Sequence, residues 1–126
     1  MKPTQPDAQS IAVVDDDEDV RKAVHGVLRS AGFLPRAFAS AEDFLHSGQR
    51  SQTACLIADV EMPGMSGLQL QARLAEDGLR IPIIFITAYP DARTRSRAMN
   101  AGAVDFLEKP FDNDILLARI TSVLAS

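Results

Sequence analysis

The chain has 126 residues, with 17 acidic against 13 basic side chains and a formal charge of −4. That length is enough for one domain with a core that needs no disulfide or metal staple, and 46% hydrophobic with 24% charged residues excludes a disordered chain. No apolar stretch approaches the roughly 18 residues of a membrane helix, the polar start is not a secretory signal, and the acid excess argues against sequence-independent nucleic-acid binding.

Residues 1–9 read as a polar tail, and a single domain is expected over residues 10–126. Ile11–Val14 is a short all-apolar run of the kind that forms a strand buried on both faces. Val20, Ala23, Val24, Val27, Leu28 and Ala31 then recur at helical spacing, with Asp19 the expected N-cap and Gly32 the stop. Leu34–Phe38 is a second strand, placed at an edge because Pro35 cannot donate to a ladder. Ser40 and Asp43 resemble a capping box that opens a short helix ending near Gly48. Cys55–Ala58 is the third strand, and its cysteine, the only one, most simply packs in the interior of a protein kept in a reducing compartment.

After the turn-rich segment Met62–Gly67 a helix runs to about Asp77 and stops at Gly78. Ile81–Ile86 is the fourth strand, with Pro82 tolerable only near its start. Asp91 caps a helix reaching Ala101, Val104–Leu107 makes a fifth strand, and a last helix spans about Asn113 to Leu124. Strict alternation of strands and helices predicts an α/β fold with a parallel sheet covered on both faces. With the proline-bearing second strand at an edge, the expected order is the flavodoxin-like 2-1-3-4-5. Ligands of such sheets bind beyond the carboxyl ends of the strands, so the search for function becomes a reading of five strand ends.

Strand one ends in Asp15-Asp16, strand three in Asp59, strand four in Thr87 and strand five in Lys109. Two like charges about 4 Å apart at an effective dielectric near 20 repel by roughly 4 kcal/mol. Three clustered carboxylates therefore call for a cation beyond Lys109, and an all-oxygen donor set without histidine or cysteine favours Mg²⁺. A carboxylate beside such an ion is a plausible nucleophile toward phosphorus. The Lys109 ammonium and Thr87 hydroxyl would share the charge on the phosphoryl oxygens, and Ala88 is small enough to leave room for the group.

At this point the chain resembles a response-regulator receiver domain of bacterial two-component signalling, over about residues 10–125. The segments that carry the resemblance are Val13-Val14-Asp15-Asp16, Asp59 through Gly67, Ile86-Thr87-Ala88 and Lys109-Pro110-Phe111. Gly102-Ala103-Val104-Asp105-Phe106 together with Glu108 through Phe111 leans toward the FixJ-like branch. Each motif alone is weak, but in this order on this strand pattern they are specific.

The resemblance implies that Asp59 accepts a phosphoryl group from a sensor histidine kinase. It implies a Mg²⁺ ion held by Asp16 directly, by Asp15 through water, by Asp59 and by the main-chain carbonyl of Glu61. It assigns Lys109 to a phosphoryl oxygen, makes Thr87 and Phe106 the switch residues, Thr87 moving toward the phosphoryl group and Phe106 rotating inward, and makes the Lys109–Pro110 bond cis. Glu61 and Tyr89, beside Ala88, are expected to modulate how fast water removes the group. The output is expected through the face made by helix four, strand five and helix five, toward an output domain such as a DNA-binding one, a partner protein, or a second copy on phosphorylation. The domain itself is expected to be cytoplasmic, to bind no nucleic acid or membrane directly, and to catalyse only its own phosphoryl transfer and slow self-dephosphorylation. The alternative is a receiver-like binding module that ignores phosphorylation; such modules lose a key acid, the lysine or the threonine, and all are present here.

Other readings of the acidic run are poorer. A calcium loop starting at Asp15 needs Gly at its sixth position and Glu at its twelfth, where the chain has Val20 and Gly26. A haloacid-dehalogenase-type motif with its nucleophile at Asp15 wants Thr or Val where Asp19 stands. Asp17, Glu18 and Asp19 suit the start of the first helix, where negative charge complements the helix dipole. His25 and His46 read as solvated, as do Arg93, Arg95 and Arg97 on the fourth helix. The run Asp15–Asp19 holds five of the 17 acids, leaving 12 acids against 13 bases elsewhere, so the acid excess begins at one strand end.

Overall fold

The computed structural model describes residues 9–125. The expected tail therefore lies, but for Gln9, outside the described residues, as does Ser126. Five strands, β1 (Ser10–Val14), β2 (Leu34–Phe38), β3 (Cys55–Asp59), β4 (Ile83–Thr87) and β5 (Asp105–Glu108), alternate with α1 (Glu18–Ser30), α2 (Ala41–His46), α3 (Gly67–Glu76), α4 (Ala92–Asn100) and α5 (Asn113–Leu124). All strand pairs are parallel and the order is β2-β1-β3-β4-β5, as the alternation and Pro35 predict. The fold is flavodoxin-like.

The two-residue period of the strands divides the interior into two cores. Ala12, Val14, Leu56, Ala58 and Phe85 turn to one face and pack with Phe44 of α2, Leu70 and Leu74 of α3 and Ala98 of α4. Ile11, Val13, Cys55, Ile57, Ile84 and Ile86 turn to the other and meet Val24 and Leu28 of α1 and Leu116 and Ile120 of α5. The central strands are apolar on both faces because both faces are covered.

Several boundaries differ from the sequence expectations. β3 and β4 each run one residue further, to Asp59 and Thr87, because a polar last residue still pairs in the ladder. β4 begins at Ile83 rather than Ile81, since Pro82 brings no N–H and serves instead as acceptor, through its carbonyl, for Leu56 N–H. β5 is shifted by one residue, to Asp105–Glu108. The N-cap of α1 is Asp17, not Asp19: Asp17 Oδ1 accepts from Asp19 N–H at 2.9 Å, so Asp19 sits inside the first turn. Ser40 caps α2 through Asp43 N–H at 3.0 Å, whereas the reciprocal box is built at α3, by Ser66 and Gln69. A single 3-10 turn, Arg50–Gln52, has no counterpart in the sequence reading. Gly32, just past α1, has φ of +90°, a conformation that side chains resist and that ends the helix.

Cys55 is fully buried in β3, and burial pushes its thiol up to about 12. A thiol-selective reagent at about pH 8 is expected to leave the native chain unlabelled and to label it once denaturant is added, because only the thiolate reacts. Native-state labelling at the rate of a free thiol would contradict the placement.

Candidate functional site

The carboxyl ends of β1, β3, β4 and β5 bring residues from four parts of the chain to one rim. Asp15, the residue after β1, is fully buried, Asp59 closes β3 at 6% exposure, and Thr87 closes β4 fully buried. Asp16 is exposed. Carboxylate oxygens of Asp15, Asp16 and Asp59 all lie within 4.8 Å of one another. Lys109, the residue after β5, reaches in from the other side, with Nζ 2.9 Å from Asp15 Oδ2 and 3.4 Å from Asp59 Oδ2. Its own backbone N–H donates to Thr87 O at 2.7 Å, and the Lys109–Pro110 peptide is cis.

The local backbone explains why these groups stay aimed inward. Asp15 Oδ1 accepts from Asp17 N–H at 2.9 Å, and Arg21 of α1 donates to Asp15 O at 2.7 Å. Asp59 Oδ1 accepts from Glu61 N–H at 3.3 Å. Met65 N–H, in the β3–α3 loop, donates to Glu42 of α2 at 3.0 Å, so a side chain remote in sequence ties down the loop that follows Asp59. Gly67 starts α3 directly beneath Asp59: its amide donates to Val60 O at 2.9 Å.

One ammonium does not balance three carboxylates. Lys109 sits closer to Asp15 than to Asp59, so Asp59 is left under-compensated. Desolvation and then the neighbouring Asp15 charge push the Asp59 carboxyl up to about 6, against the opposing pull of Lys109 and the Glu61 N–H. Burial pulls the Lys109 ammonium down, but Asp15 and Asp59 together outweigh it and hold it above its ordinary value. Asp15 Oδ2 is buried, and among the described residues the Lys109 ammonium, 2.9 Å away, is the one group that pairs with it. A buried carboxylate paired with the one ammonium, an under-compensated neighbour and an exposed third acid form a hard, all-oxygen donor set. Asp15, Asp16 and Asp59 could hold a divalent cation such as Mg²⁺.

The other residues singled out from sequence surround this cluster. Thr87 Oγ1 accepts from Tyr89 N–H at 3.0 Å and donates to Glu61 Oε1 at 3.5 Å, so the hydroxyl is held toward the loops rather than toward Asp59. Ala88 is exposed beside it, and Tyr89 is 74% exposed. Phe106 is not at the rim: it is buried, 5% exposed, against Phe85 with ring centroids 6.4 Å apart. His25 and His46 are exposed, and neither belongs to the acidic cluster. Arg93, Arg95 and Arg97 are exposed, as expected, and the Arg95 guanidinium in addition donates to Phe106 O. Arg21, Glu42 and Arg95 were not legible as site-supporting residues; their contacts depend on side-chain reach across elements and leave no local pattern.

The response regulator receiver domain family matches residues 11–121 of the chain. The chain belongs to that family. This receiver domain is 42% identical over 118 residues to the transcriptional regulatory protein TdiR of Thauera aromatica, covering 94% of the chain and 52% of TdiR. It is 37% identical over 119 residues to the transcriptional regulatory protein FixJ of Azorhizobium caulinodans, covering 94% of the chain and 56% of FixJ. The crystal structure of FixJ-N superposes with a TM-score of 0.84 at 37% identity, covering 93% of the chain and 94% of FixJ-N. These matches support the FixJ-like branch. The receiver domain spans about half the length of the curated relatives it matches. No helix among its described residues is long and apolar enough to cross a membrane.

Proposed function

We propose that this receiver domain is a phosphorylation-controlled switch of two-component signalling, with Asp59 as the phosphoryl acceptor. The observation that carries the reading is the position of Asp59, between Asp15, Asp16 and Lys109 at the rim of the sheet. In the reaction an Asp59 oxygen forms a bond to the phosphorus of a sensor kinase's phosphohistidine, the P–N bond breaks, and the imidazole leaves with the electron pair. The carboxylates of Asp15, Asp16 and Asp59, with the Glu61 main-chain carbonyl, would hold Mg²⁺. When bound, the ion supplies positive charge that keeps Asp59 ionised and offsets charge on the phosphoryl oxygens. Lys109 pairs with a phosphoryl oxygen, and the Thr87 hydroxyl turns from Glu61 toward the group. Ala88 leaves space for it, while Glu61 and Tyr89 stand where they can hinder or admit the hydrolytic water.

The Thr87 movement couples to Phe106 and remodels the α4–β5–α5 face, which addresses an output domain, a partner protein or a second copy. Driving such a switch from 1:99 to 99:1 takes about 5.5 kcal/mol of differential stabilisation, within reach of one phosphoryl group bound by a metal, an ammonium and a hydroxyl. The domain catalyses its own phosphoryl transfer and slow self-dephosphorylation, acts in the cytoplasm, and contacts neither nucleic acid nor membrane itself. The test is incubation with Mg²⁺ and acetyl phosphate, read by intact mass. The wild type is expected to gain one hydroxylamine-sensitive phosphoryl group and Asp59→Asn none. Equal uptake by Asp59→Asn would remove Asp59 from the role.

A further inference from the structure

β5 is the last strand of the sheet, so among the described residues its outer edge has no neighbouring strand. Lys109 N–H turns inward to Thr87 O, and alternation along the strand therefore turns the main-chain groups of Phe106 to the open edge. Side chains satisfy both of them. Phe106 N–H donates to Asp105 Oδ1 at 2.7 Å, and Phe106 O accepts from Arg95 Nη1 of α4 at 3.2 Å. Asp105 is itself fixed by Arg119 of α5, with Nε 2.6 Å from Oδ2.

Arg95 also covers the side chain of the same residue. Its guanidinium carbon lies 6.0 Å from the centroid of the Phe106 ring, within the range of a cation–π contact. Among the described residues Arg95 makes no ion pair, so its charge is spent on the ring and on a neutral carbonyl. Beside the ring is a cavity of about 210 Å³ lined by Pro90, Asp91, Ala92, Arg95, Phe106 and Glu108. That is ample room for a phenyl ring to leave its buried place, and Arg95 stands at the boundary between the two.

We propose that Arg95 is a positioning residue that latches Phe106 in its buried orientation and so sets the balance of the switch before any phosphoryl group arrives. The latch itself is independent of the phosphorylation reading; its meaning as a set point rests on that reading. Each of the two contacts is modest, and together they bias the ring's two positions by about tenfold.

The experiment is ¹⁹F NMR of the chain grown with fluorophenylalanine, free of metal and phosphate. Six phenylalanines give six signals, and Phe106 is the one missing from Phe106→Leu. Saturation transfer then measures the minor, exposed population. Arg95→Ala is expected to raise that population about tenfold while the other five signals stay in place, and Arg97→Ala, two residues along α4 and also exposed, is expected to leave it unchanged. An unchanged population in Arg95→Ala, or an equal rise in Arg97→Ala, overturns the latch. Should Arg95→Ala not fold, Arg95→Gln, which keeps a donor but loses the cation over the ring, is judged by the same criterion. The populations are read without phosphorylation, so failure of Asp59 to take up phosphate leaves this result standing on its own.

Discussion

Gly67→Ala is expected to lower the melting midpoint by roughly 10 °C, which corresponds to about 3 kcal/mol for a domain of this size. A methyl group at Gly67 would collide with the Asp59 carbonyl oxygen and come within 3.0 Å of the Phe85 ring and 3.1 Å of Val60 Cα. Two of those three neighbours are backbone, which yields less readily than the end of a flexible side chain. The fully buried Phe85 has no free space to retreat into. Relief must come from moving the start of α3 or the end of β3, and the latter carries Asp59. The variant is therefore expected to bind Mg²⁺ more weakly as well as to melt earlier. Gly26 is the internal control: a methyl there meets nothing within 4 Å, and it lies inside α1. Gly26→Ala is expected to stabilise by about 0.5–1 kcal/mol through helix propensity alone. Thermal melts of the two variants check both, and a Gly67→Ala midpoint within about 2 °C of wild type would refute the close approach.

The second large effect is electrostatic. In the presence of a chelator, stability is expected to fall as pH rises from about 4 to above 6, by about 1–2 kcal/mol. Asp59 titrates near 3.8 in the unfolded chain and at about 6 in the folded one. Between those values the folded state binds the extra proton, so raising the pH withdraws a stabilising proton, and ionised Asp59 then opposes the fold. A full shift of about two units corresponds to about 3 kcal/mol; water reaching the rim of the sheet screens part of it, hence the smaller figure. Lys109 does not blur the window, because its raised value places its own loss of stability above 10.5. Asp59→Asn is expected to flatten the slope and melt higher than wild type without metal. Mg²⁺ should reverse the ranking, since a ligand at 100 times its Kd adds about 2.7 kcal/mol to the state that binds it. Urea titrations across the pH range, with and without Mg²⁺, decide it. A wild-type stability that rises from pH 4 to 6 in chelator would show that Asp59 is not under-compensated.

Much of the fold was legible because the three central strands are apolar runs and most helices stop at a glycine. The edge place of strand two followed from Pro35, and the rest of the order from the flavodoxin-like pattern that this placement suits. The errors cluster where hydrophobicity stops being the signal. Asp59 and Thr87 pair in the sheet although polar, and Pro82 interrupts an apolar run that otherwise reads as strand. Asp17 and Asp19 are both good caps in isolation, and only the path of the chain out of β1 selects Asp17. The rim residues were legible by a topological rule about strand ends, not by local spacing. Arg21, Glu42 and Arg95 obey no such rule. Each is an ordinary surface residue on a helix, and its role is set by how far a long side chain reaches across a packed boundary.

The ion contact between Lys109 and Asp15 joins two residues separated by most of the chain. Neither can be brought to the other by a hairpin or a single helix; β1, β3, β4 and β5 must all be in register first. A fragment, a nascent chain or a misregistered intermediate therefore presents Asp15 and Asp16 without Asp59 or Lys109 beside them. The rim works as a certificate of completed folding, and a kinase that requires it would not spend phosphoryl groups on unfinished molecules.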